Sequence, residues 1–125
     1  MNKLLIIAVM CLFLSCEEKS DMDTTDKYIV ETIVNLQPGK TKEVLELFKS
    51  TNPQLVSAES DWIKASFSSV EDKDIVVVRA EWKRKESYMK FSNSEKFKST
   101  MSQFGKYFTG RPEVTITKVL FEMQK

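Results

Sequence analysis

The run Ile75-Val76-Val77-Val78 is apolar at every position, so a strand built from it must be shielded from water on both faces. No other feature constrains the fold as much. The run opens Ile75 to Trp82, which reads as the return arm of a hairpin: Trp62 to Val70 is the outgoing strand and Glu71-Asp72-Lys73-Asp74 the polar turn. Upstream, Tyr28 to Leu36 is rich in Ile and Val and stops at Pro38-Gly39, which predicts a first strand. Its alternation puts Tyr28, Val30, Thr32, Val34 and Leu36 on one face, and Ile29, Glu31, Ile33 and Asn35 on the other.

Lys40 to Ser50 carries Val44, Leu45, Leu47 and Phe48 at helical spacing and predicts an amphipathic helix closed by Asn52-Pro53. Pro53 to Ser60 offers only Leu55 and Val56 and predicts an irregular turn. After the hairpin, Lys83 to Asn93 is helical in pattern, burying Tyr88, Met89 and Phe91. Ser92-Asn93-Ser94-Glu95 has the spacing of a capping box and opens a second helical piece, Glu95 to Phe108, with Phe97, Met101, Phe104 and Phe108 along one stripe. Gly110 and Pro112 interrupt the chain, and Val114 to Met123 alternates as a last strand.

This order predicts an α+β, ferredoxin-like βαββαβ domain: a four-stranded antiparallel sheet with its helices on one face. The opposite face would then expose Ile29, Ile33, Ile75 and Val77, a patch of roughly several hundred Å² that monomers seldom keep. The expected partner is a second copy of the chain, the two sheets closing on each other. Glu31, Arg79 and Glu81 share that face. They read either as an interface ion pair fixing register or as a carboxylate base of raised pKa.

Charge and composition exclude several functions. Nineteen basic residues against eighteen acidic ones give a formal charge of +1, without the basic field that nucleic acid requires. The chain has no His, which removes Ser-His-Asp triads, His-containing zinc sites and His-ligated haem. No metal site is expected, because the acidic hairpin turn has too few oxygen ligands for calcium.

The N-terminus reads as an export signal. Met1-Asn2-Lys3 is a short cationic start, and Leu4 to Leu14 is unbroken apolar sequence of about 16 Å as a helix, roughly half a bilayer core. Phe13-Leu14-Ser15-Cys16 resembles a bacterial lipobox, which implies diacylation of Cys16 and anchoring through its acyl chains. Residues 1–15 are thus expected to be a lipoprotein signal, 16–27 a charged tether and 28–125 the folded domain, held on the membrane outside the cytoplasm. Cys11 leaves with the signal, so the domain keeps no thiol for a disulfide.

Three stretches carry a family resemblance. They are Val34-Asn35-Leu36-Gln37-Pro38-Gly39-Lys40, then Glu81-Trp82-Lys83 with Glu86-Ser87-Tyr88, then Ser92-Asn93-Ser94-Glu95-Lys96-Phe97. In order and spacing, residues 28 to 123 resemble the antibiotic biosynthesis monooxygenase superfamily of dimeric α/β barrels. The resemblance implies oxidation of a small aromatic or quinol-like substrate with no cofactor, the reduced substrate itself giving electrons to O₂. It also implies a dry pocket between sheet and helices, with Tyr28, Thr32, Trp82, Tyr88, Phe91, Phe97, Met101 and Phe104 as candidate liners, each of them also a good core residue. The haem-degrading branch of the superfamily uses an Asn, a Trp and a His at places that fall here on Thr32, Phe91 and Met101. All three are replaced, which disfavours haem. The alternative function is a non-catalytic small-ligand-binding or structural lipoprotein with the same dimeric fold.

Overall fold

The computed structural model describes residues 26–125; the expected signal and nearly all of the expected tether lie outside the described residues. The described chain forms β1 (Tyr28–Asn35), α1 (Thr41–Val56), β2 (Trp62–Ser69), β3 (Ile75–Trp82), α2 (Lys85–Ser92), α3 (Glu95–Ser102), a 3₁₀ turn (Gly105–Tyr107) and β4 (Glu113–Lys118). The strands make one antiparallel sheet in the order β2-β3-β1-β4, the ferredoxin-like arrangement expected from the sequence. The apolar β3 is central, as its composition requires.

Short-range chemistry fixes the joints. Gly39 takes a φ of +76° in the turn into α1, a conformation that costs glycine nothing. Asp74, at the hairpin tip, accepts hydrogen bonds from the Gly39 N–H at 3.1 Å and the Thr41 hydroxyl at 3.0 Å, tying the hairpin to the start of α1. Four features differ most from the sequence expectation. Helix α1 runs through Pro53 to Val56, because Leu55 in its last turn is 4% exposed and its burial offsets the lost backbone bond. The cap of α3 is Ser94 rather than Ser92: Ser94 Oγ accepts the Phe97 N–H at 3.2 Å, while Ser92 ends α2. Helix α3 ends at Ser102, well short of Phe108. Strand β4 ends at Lys118, because β1 begins at Tyr28 and only the Val119 N–H to Lys27 carbonyl bond continues the ladder.

The helices cover one face. Val34, Leu36, Val44, Phe48, Val76 and Phe104 make one buried cluster, and Val30, Leu55, Trp82 and Phe91 make another. On the other face the expectation of a broadly exposed patch is corrected. Ile29 is 7% exposed, and Ile33, Ile75 and Val77 are half-buried within the single chain. Long charged side chains at neighbouring register positions account for this: Lys27 and Lys64 pair with Glu81 at 2.8 and 3.3 Å, and Arg79 faces Glu31 at 3.9 Å.

Candidate functional site

A cavity of about 1120 Å³ lies between the sheet and its helices. Its floor is the helix-facing row of each inner strand, Val30, Thr32 and Val34 on β1 and Val78, Ala80 and Trp82 on β3. Leu45, Phe48, Leu55 and Val56 of α1, Tyr88 and Phe91 of α2, and Phe97 and Met101 of α3 form the roof. The exposed liners Lys49, Pro53, Ser57, Arg111 and Pro112 mark a cleft-like mouth between α1 and the segment that leads into β4.

Trp62 enters the wall through a β-bulge. The β2–β3 register slips between Trp62 and Lys64, so Trp62 shares a face with Ala65 and Phe67, and Ile63 turns outward at 38% exposure. Strict alternation would have sent Trp62 to the opposite face from Phe67. The sequence reading did not place Trp62 in the pocket. It also missed Leu55, which lies beyond the proline taken as the end of the helix.

Six of the eight candidates meet at the cavity: Thr32, Trp82, Tyr88, Phe91, Phe97 and Met101. Phe104 does not, and this corrects the stripe assignment. Once α3 stops at Ser102, Phe104 no longer follows helical phase; it is fully buried and stacks on Phe48 at 4.5 Å. Tyr28 does not either. It lies at the first position of β1, opposite Trp82 and Lys118, and the lining of that strand begins only at Val30.

The β3 end of the cavity holds its best-defined polar groups. Trp82 is 1% exposed and contacts Tyr88 edge-on at 5.8 Å and Phe91 at 5.1 Å; Phe91 in turn meets Phe97 at 5.1 Å. The buried Trp82 indole N–H has no acceptor among the described residues. Burial holds the Tyr88 phenol above its ordinary pKa, so it stays a neutral hydrogen-bond donor at physiological pH.

Asp61 holds the corner between these two rings. Its carboxylate accepts the Ser87 hydroxyl and the Arg84 Nε–H, the latter at 2.7 Å, and its carbonyl accepts the Lys83 N–H at 2.8 Å. The Ser87 and Arg84 bonds hold the Asp61 carboxyl below the usual carboxylate range. Glu81 lies on the far face of the sheet. Burial pushes its pKa up, but Lys27 and Lys64 outweigh it and the net shift is downward. Among the described residues no group of three or more Cys, Asp or Glu is placed to hold a metal ion.

A ferredoxin-like sheet with an apolar chamber under its helices defines the class of protein. The family model described as "Antibiotic biosynthesis monooxygenase" matches residues 27–103, and the chain belongs to that family. Solved structures share the fold. A protein from Nitrosomonas europaea, provisionally assigned to the same monooxygenases, aligns with a TM-score of 0.66 at 12% identity, over 78% of this chain and 94% of that one. A conserved protein from Methanosarcina mazei Go1 gives 0.65 at 21% identity, over 77% and 95%. One from Mycobacterium tuberculosis gives 0.65 at 15%, over 78% and 99%. No curated protein matches the chain.

Proposed function

We propose that the protein is a lipid-anchored, exported homodimer whose cavity takes a small aromatic or quinol-like substrate and oxidises it with O₂, the reduced substrate supplying the electrons. One observation carries the reading: Trp82 and Tyr88, whose indole and phenol are hydrogen-bond donors, meet edge-on in the wall of a chamber lined mostly by apolar side chains. A planar phenol would bury its rings against Phe91, Phe97 and Met101 and direct an oxygen to those donors. There they would favour its anion, the electron-rich form that reacts with O₂. For a methylene between aromatic rings, one oxygen atom stays as the new carbonyl and the other leaves as water with the two hydrogens. The reading of export and anchoring is supported by the Leu4 to Leu14 run before Cys16. The homodimer is supported by Ile33, Ile75 and Val77 on the uncovered face, and by Leu120, Phe121 and Met123, which are 87%, 78% and 86% exposed.

Oxygen uptake by the full chain with a panel of quinols and anthrone-like phenols tests the chemistry. Uptake is expected to fall at least tenfold in Trp82→Phe and Tyr88→Phe. Wild-type rates in both variants and in Thr32→Val would overturn it. One observation favours the second reading, a non-catalytic binding or structural lipoprotein: the carboxylates of shifted pKa, Asp61 and Glu81, are held in ion pairs outside the cavity. Tight binding of the same phenols with no oxygen uptake would select it.

A further inference from the structure

We infer that the ligand of this cavity is an amphiphile, with a planar head at the Trp82–Tyr88 end and an aliphatic tail along the far end. The inference rests on the cavity being the ligand site proposed above and adds what its shape requires. The lining follows β2 from Trp62 to Phe67 and β1 from Val30 to Val34, so it extends roughly 13 to 17 Å along the strands at about 3.3 Å per residue. Its volume, about 1120 Å³, exceeds the roughly 300–1,000 Å³ of pockets that enclose whole drug-sized ligands. A two- or three-ring phenol is small for that class.

Polarity divides the chamber along its length. Trp82 and Tyr88 bring donors to one end, whereas the other is walled mostly by Leu45, Phe48, Phe67, Val78 and Phe108, with Thr32 beside Val78 and Lys49 and Arg111 at the mouth. An ordered water needs about two to four polar partners, which Leu45, Phe48, Phe67 and Phe108 do not offer. An alkyl or prenyl chain needs none. The mouth is a cleft along α1 rather than a narrow hole, so a chain attached to the head can lie in it with its far end toward Lys49 and Arg111.

A homologous series tests the inference: 1,4-naphthoquinols bearing no chain, a butyl chain or an octyl chain, titrated calorimetrically into the full chain held in lipid nanodiscs. Affinity is expected to rise at least tenfold from no chain to butyl, since each buried methylene contributes about threefold or more. Leu45→Trp and Val78→Phe, which fill the apolar end, are expected to keep head binding and lose the gain. Partition into lipid is common to all three proteins and cancels in their ratio. Head binding whose affinity is flat with chain length, or a gain that persists in both variants, overturns the amphiphile. Failure of every member to bind overturns the ligand site as well, which separates the two claims.

Discussion

The ring of Tyr88 meets Trp82 edge-on, with 5.8 Å between centroids and 75° between planes, and joins the first turn of α2 to the last residue of β3. The contact brings both side chains into the cavity wall. Replacing Tyr88 by Phe keeps the packing and removes one hydroxyl, so affinity for a planar phenol should fall about tenfold, the worth of one hydrogen bond. The urea midpoint should barely move. Because burial raises the Tyr88 pKa, the affinity of a non-ionising quinone should be flat between about pH 6 and 9, as titration against pH will show.

Asp61 supports that pair from outside the cavity, and its effect is visible in acid. Asp61 and Glu81 both ionise at lower pH in the folded chain than in the unfolded one. Each therefore stabilises the fold above the ordinary carboxylate range, and this contribution is lost as pH falls through the depressed folded values. Urea midpoints should decline from about pH 5 downward. Asp61→Asn should start with a lower midpoint at neutral pH and show a shallower decline; an unchanged pH profile would remove Asp61 from the account.

Phe104 and Phe97 separate core from cavity. Phe104 is fully buried and stacked on Phe48, so Phe104→Ala should cost about 3–5 kcal/mol in chemical denaturation. Phe97 is half-buried at the cavity wall, and Phe97→Ala should cost less while weakening ligand binding more. Reversal of that order would mean the cavity assignment is inverted.

Much of this arrangement was legible in the sequence, and the exceptions have physical causes. Alternation in Tyr28 to Leu36 and the apolar Ile75 to Val78 run report burial directly, so the central place of β3 and the two faces of β1 follow from them, while the sheet topology follows from the βαββαβ succession. Pro53 was misleading because a helix tolerates a missing bond when Leu55 beyond it is buried, and that burial is tertiary. Trp62 was hidden by a one-residue register slip, which reverses every parity argument before it. Phe104 kept its spacing but lost its phase once α3 ended at Ser102. Six of eight cavity candidates came from aromatic spacing and the family resemblance, yet nothing in the sequence told the chamber from a filled core. That difference depends on how far the helices stand from the sheet.

The uncovered sheet face makes its own prediction. The full chain in detergent should sediment as a dimer across micromolar concentrations, and Ile33→Glu, which adds a charge beside half-buried Ile75 and Val77, should yield monomers. A wild-type monomer throughout that range would discard the paired-sheet assembly.

Both tryptophans of the chain, Trp62 and Trp82, line the cavity, so their emission reports directly on what enters it. The most direct test is an oxygen-free titration of the full chain with a tricyclic phenol, in which binding is separated from turnover. Saturable quenching at one ligand per chain, strongly weakened in Tyr88→Phe, is the predicted result. Emission that stays constant up to the solubility limit of the phenol would contradict the account.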